Sequence, residues 1–166
     1  MSVRPILAWP DVRLSAIRDP VQDGEDLNLL IADMFDTMYD ATGRGLAAPQ
    51  IGLMKRVFVM DVTWKEAEPS PIAMINPEMT WCSEETVVMT EGCLSIQGIT
   101  TDIERPAAVE FAWTSPEGLH MVRRMEGAEA RCALHELDHL NGVVTLDRLS
   151  DEDRNQALRA YENANA

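Results

Sequence analysis

His135-Glu136-Leu137-Asp138-His139 sets two histidines four residues apart with a glutamate beside the first. Four residues advance an ideal helix by about 400°, so the imidazoles fall within about 40° of each other and one turn apart, which suits two corners of a tetrahedral metal site. Glu136 then lies close enough to move protons on a water at that metal. Two of only three histidines in the chain occupy this segment, which favours a ligand pair over histidines that merely satisfy hydrogen bonds. The surrounding residues predict a helix over 128–141 that buries Cys132, Ala133, Leu137 and Leu140, with Gly142 as its left-handed cap.

Working outward, a second amphipathic stripe (Leu27, Leu30, Ile31, Met34, Phe35, Met38 and Tyr39) predicts a helix over about 23–41. Asp23 is its candidate N-cap and Gly43 or Gly45 its candidate stop. Between the two helices the period changes. Segments 57–62, 72–75, 85–90, 109–113 and 120–124 are short, and Pro, Gly, Asn or Ser separate them, as expected of antiparallel strands. Ser150, followed by Asp151, Glu152 and Asp153, predicts the cap of a short last helix. The expected fold is α+β: mostly antiparallel sheets packed around a central helix that carries the histidine motif, with an N-terminal helix and a short C-terminal one. No repeat or linker divides the chain, so residues 1–166 are read as one domain.

Size and charge narrow the function. The 166 residues allow a sizeable core, and 46% hydrophobic with 25% charged content belongs to an ordinary globular protein. No apolar run is long enough for a membrane span, and Met1-Ser2-Val3-Arg4-Pro5 lacks the apolar core of a secretory signal, so a cytoplasmic location is expected. Three cysteines without tight spacing argue against a disulfide framework and suit a reducing compartment where a thiolate can be a ligand. A net charge of -14 repels phosphate backbones, which removes nucleic acid from the expected substrates and leaves neutral or small polar ones.

A catalytic site of this kind needs a third protein ligand and an open position. In the extended protease pattern HExxHxxGxxH the glycine is matched by Gly142, but Thr145 stands where the third histidine belongs. A peptidase with a downstream glutamate ligand would need Glu152 or Glu162, and neither has a supporting motif. Upstream, Glu91-Gly92-Cys93-Leu94-Ser95 puts a cysteine after a glycine, the kind of turn that lets backbone approach a metal, and Cys93 is the better third ligand.

Three segments in order, Gly43-Arg44-Gly45-Leu46-Ala47-Ala48-Pro49-Gln50, Glu91 to Ser95 and His135 to His139, closely resemble the GxGLAAxQ, EGCLS and HExDH motifs of the peptide deformylases. Similar stretches at 10–14, 33–39 and 147–150 extend the resemblance over nearly the whole chain. It implies an enzyme that removes the N-formyl group from the initiator methionine of new polypeptides with a metal-activated water. The implied ion is Fe(II) on Cys93, His135 and His139, with Zn, Ni or Co able to substitute. It further implies Glu136 as the proton carrier, and the Gln50 side-chain amide with the Leu94 backbone N–H as the donors to the formyl oxygen.

Two readings of Gly45 stand side by side: an open backbone for a substrate strand, or a stop for the first helix. Leu46, Ala47 and Ala48 are read as close packing, Arg105 as an ion-pair partner of Glu91 or Asp138, His120 as a surface residue, and Cys82 and Cys132 as small core residues. Three departures from the family concern the substrate more than the reaction. Arg44 replaces a usual Val or Ile and places a long cation at the mouth of the pocket, Gln97 replaces a proline, and Leu134 replaces the glutamine before the HExDH motif. From Ser150 onward four acids face two bases, so the tail lacks the basic footprint with which some deformylases dock on the ribosome. The alternatives to a deformylase are an HExxH metallopeptidase and a deformylase-like peptide-binding protein.

Overall fold

A computed structural model describes residues 2–166. Its helices are α1 (Asn28–Asp40), α2 (Gly127–Leu140) and α3 (Asp151–Ala164). Its strands are β1 (Gly45–Ala47), β2 (Val57–Met60), β3 (Ile72–Cys82), β4 (Thr86–Cys93), β5 (Ile96–Pro106), β6 (Ala108–Thr114) and β7 (His120–Glu126). One antiparallel sheet runs β1-β2-β3-β6-β7, and β4 with β5 forms a separate antiparallel hairpin. This is the expected α+β fold with α2 at its centre.

The sheet is buried on both faces where the first three strands meet, and the alternation of side chains divides its core in two. Leu46, Val57, Val59, Ala73 and Ile75 face α1, meeting Ile31, Met34 and Met38 of its stripe. Ala47, Phe58, Met60 and Met74 face the other way, toward Ala130, Ala133, Leu134 and Leu140 of α2. Each such large side chain removed from water contributes on the order of 2 kcal/mol, enough to clamp α2 against the sheet. A third cluster, Leu14, Ile96, Val144 and Leu146, joins the end of the hairpin to the segment after α2 and, through Leu158 and Tyr161, to α3.

Several expected boundaries move. α1 begins at Asn28 with no side-chain cap on the preceding Leu27, and Asp26, not Asp23, accepts the first backbone N–H. The helix ends before Gly43: Thr42 turns left-handed at φ 54° and the Gly43 N–H returns to the Met38 carbonyl. Gly45 is therefore in a strand and stops no helix. β1 and β5 lie outside all the expected strand segments, and β3 runs seven residues past its expected end at 75, to Cys82. Cys82 is exposed there instead of in the core. Gly142 takes the left-handed cap of α2 at φ 73°, and the Ser150 hydroxyl accepts the Asp153 N–H to cap α3, which at 14 residues is as long as α2. Among the described residues no helix is long and apolar enough to cross a membrane.

Candidate metal centre

Three chain segments deliver the site. The hairpin's register slips between Glu91 and Cys93, so Gly92 sits in a bulge and Cys93 is turned toward α2. From α2, His135 and His139 project on one face with ring centroids 5.0 Å apart. One donor atom from each of Cys93, His135 and His139 lies within 4.8 Å of the other two, and the Cys93 Sγ to His139 Nε2 distance is 3.5 Å. A tetrahedral ion with ordinary metal–sulfur and metal–nitrogen bonds needs about 3.6 Å between such donors, so this set fits a divalent metal.

His135 is fixed through its other nitrogen: Nδ1 lies 2.9 Å from Glu91 Oε1, leaving Nε2 for the cleft. Glu91 is itself held. Arg105 Nε and Nη2 donate to its two oxygens, Arg131 Nη1 donates to Oε2, and Arg105 Nη1 continues to Asp138, which also receives Arg148. Burial pushes the Glu91 carboxyl up, but hydrogen bonds from His135 and Arg105 more than reverse this and hold it well below the ordinary carboxylate range. Arg105 thus bridges both of its candidate partners. Arg105→Leu should lower the unfolding free energy by about 3 kcal/mol, because two buried carboxylates each lose a guanidinium; urea denaturation measures it, and a loss under 1 kcal/mol would contradict it.

Glu136 is buried on the neighbouring face of α2, and its Oε2 has no hydrogen-bond partner among the described residues. Burial, with the Glu91 charge nearby, lifts its carboxyl to about 7. Such an orphaned oxygen is expected where a water or a substrate amide completes the site. Gly45 makes the room for it. A Cβ at Gly45 would meet Glu136 Oε1 at 2.6 Å and Cys132 Sγ at 2.8 Å. Cys132 is thus a wall of the cleft, with its thiol pushed up first by burial and then by Glu136, and Sγ 3.5 Å from the Arg44 carbonyl.

Gln50 is buried, its Oε1 accepting the Ala47 N–H at 2.9 Å while its Nε2 donates to Ser95 Oγ at 3.0 Å and lies 3.8 Å from Cys93 Sγ. Leu94 is half-buried in the wall, with its side chain against Gly43. Arg44 lines the mouth and pairs with Glu66. Glu136, Gln50, Leu94, Gly45, Arg44, Cys93 and His135 all border one cleft of about 580 Å³, and His139 lies beneath it. Residues that the sequence reading passed over are Ser95, which fixes the Gln50 amide, and Arg131. Ser95 was within reach as the last residue of the cysteine motif; Arg131 was not, because the groups that accept from it, Glu91 and the Ile103 and Val87 carbonyls, lie on the distant hairpin.

The sequence profile described as polypeptide deformylase matches residues 3–155. A peptide deformylase of Rhizorhabdus wittichii is 45% identical over 99% of this chain and 96% of its own length. The structure of peptide deformylase from Ehrlichia chaffeensis in complex with actinonin superposes with a TM-score of 0.91 at 38% identity, covering 98% of each chain. That from Legionella pneumophila gives 0.90 at 40%, covering 98% of this chain and 95% of its own. Because the matched region takes in all three segments that converge on the cysteine and the two histidines, this chain belongs to the polypeptide deformylase family.

Proposed function

We propose that the protein removes the formyl group from the N-terminal methionine of new polypeptides in the cytoplasm, with Cys93, His135 and His139 holding Fe(II) as the native ion. The observation that carries this reading is the unpartnered carboxylate oxygen of Glu136 beside a cysteine–histidine–histidine donor set. A divalent ion there supplies Lewis acidity that makes water a nucleophile near neutral pH. Glu136, with its carboxyl near 7, takes the proton of the attacking water and returns it to the amine that leaves. Gln50 Nε2, held by Ser95, and the Leu94 N–H donate to the formyl oxygen as it gains charge. Glu91 keeps the His135 ring in one orientation. β1 is the edge strand of its sheet, so an extended peptide can add alongside Gly45.

The peptidase reading would recruit Glu152 or Glu162, but the donor cluster contains neither. Ribosome docking through a basic C-terminal helix is not part of the proposal, because α3 opens on Asp151, Glu152 and Asp153 and has no basic residue in its last turn.

The test is turnover of a formyl-Met peptide by apoprotein loaded without oxygen with Fe(II), Ni(II), Co(II) or Zn(II). Turnover of the formyl peptide, with an intact internal peptide bond, supports the reading; cleavage of the internal bond or no turnover with any ion overturns it. On exposure to air the iron form should lose activity within the timed series while the nickel form persists, because a thiolate site with an open position leaves Fe(II) open to oxidation. Equal decay of both, or an active zinc form with an inert iron form, would remove iron from the proposal.

Gly45→Ala should cut kcat/KM about tenfold to a hundredfold with metal content unchanged, since the new methyl displaces the Glu136 carboxylate. Steady-state kinetics beside metal analysis decides it, and turnover within twofold of the parent would mean that Glu136 need not sit where it does.

A further inference from the structure

Gln97, Gly98 and Ile99 line the cleft beyond Leu94, yet the hairpin to which they belong does not hold them. Glu91 pairs with Thr101 and Cys93 with Ile96, so the residues 97–100 of β5 stand opposite the single residue Gly92. Gly98 lies at φ 91° and has no side chain to pack, so neither the ladder nor a side chain of its own fixes the wall there.

The end of α3 supplies what the ladder omits. Asn165 Nδ2 donates to the Gln97 carbonyl at 3.0 Å and to the Tyr161 carbonyl at 2.9 Å, which ties the wall to the helix. Ala164 packs so closely on Gly98 that a Cβ there would meet the Ala164 Cβ at 2.7 Å. Ile99 packs with Leu158 and Tyr161 against the third core cluster. Tyr161 also reaches the start of the wall through Trp9. Its ring meets that of Trp9 edge-on with centroids 5.8 Å apart, and its hydroxyl donates to the Trp9 carbonyl at 2.8 Å. The Trp9 N–H in turn donates to the Ser95 carbonyl at 2.8 Å.

On the deformylase reading above, we propose that Tyr161 and Asn165 are positioning residues: they hold residues 95–99 as the wall against which the peptide beyond its formylated methionine is bound.

The wall meets the later residues of the peptide because it continues away from Leu94, whose N–H receives the formyl oxygen in that reading, and a strand advances about 3.3 Å per residue. A substrate that ends at methionine has nothing to lay along it. His135, Glu136 and His139 sit on α2, and Cys93 keeps its pairing with Ile96, so loosening the wall leaves the metal donors and the proton carrier in place. The effect therefore falls on KM for a long peptide. One hydrogen bond of this kind changes an equilibrium about twofold to tenfold.

The experiment measures kcat/KM for formyl-methionine amide and for a tripeptide that begins with formyl-methionine, and reads the tripeptide-to-amide ratio within each protein. The metal-loaded parent should favour the tripeptide. Tyr161→Phe keeps the ring and loses the hydroxyl, and Asn165→Asp puts an acceptor where the donor was. Each should lower the ratio about twofold to tenfold through the tripeptide KM, and the double variant should lower it further. Asn163→Asp adds the same charge to the same turn without touching either bond, and should keep the parent ratio. Loss of active protein lowers both substrates alike and does not enter the ratio. A parent without preference for the tripeptide, a double variant with the parent ratio, or an Asn163→Asp protein that matches Asn165→Asp overturns the assignment. Turnover of neither substrate instead overturns the deformylase reading, and this inference with it.

Discussion

Glu136→Gln is expected to keep its metal and to lose about 10² to 10⁴ in turnover of a formyl-Met peptide, the usual span for a general acid–base group. The substitution keeps the shape of the side chain, so Gly45 and Cys132 still accommodate it, while removing the ability to take up and return a proton. What suits Glu136 to the proposed role is its surroundings. Burial and the neighbouring Glu91 charge hold its carboxyl near 7, so that neither protonation state is far out of reach in neutral water, and Oε2 has no protein partner to compete for it. None of the three candidate metal donors is altered, so metal content separates a lost proton carrier from a lost ion. Full metal occupancy with turnover within a few fold of the parent would remove Glu136 from the chemistry and leave Gln50 and Leu94 as the only polar groups proposed to act on the formyl group.

Local rules made part of this architecture readable from the chain. The four-residue spacing of His135 and His139, the left-handed cap at Gly142 and the Ser150 cap each depend on neighbours within a turn, and each is found where it was expected. What resisted reading depends on distant partners. β5 is not legible as a strand, because Arg105 stands at an inward position where alternation calls for an apolar residue, although its pairing with Glu91 and Asp138 was expected. The same inversion affects α2: Arg131, Glu136 and Asp138 are buried, so the helix is enclosed on more sides than its apolar stripe indicates. β1 is only three residues long, too short for any period to register, yet it positions Gly45. The candidate metal donors were legible because their spacing is chemical, and the Arg105 ion pair was legible with them, whereas the part of Arg131 in the same network is visible only once the hairpin and α2 are brought together.

Cys93→Ala is expected to release most of the metal and with it nearly all turnover. Cys93 Sγ stands 3.5 Å from His139 Nε2, and without it two neutral imidazoles remain to hold a divalent ion. The change also removes the only anionic group among the three donors, so affinity falls through lost charge as well as lost coordination. Gln50 keeps its bond to Ser95 in the variant, which preserves that wall of the cleft. Cys132→Ala is the matched comparison. It removes a second thiol from the same cleft, but one that burial and Glu136 keep protonated and that lies against the Arg44 carbonyl, so its metal content should stay near that of the parent. Metal analysis after identical dialysis reads both variants without any assay of activity. A Cys93→Ala protein that still holds about one ion per chain, or a Cys132→Ala protein that loses it, would move the third ligand away from Cys93 and require the metal centre to be assigned anew.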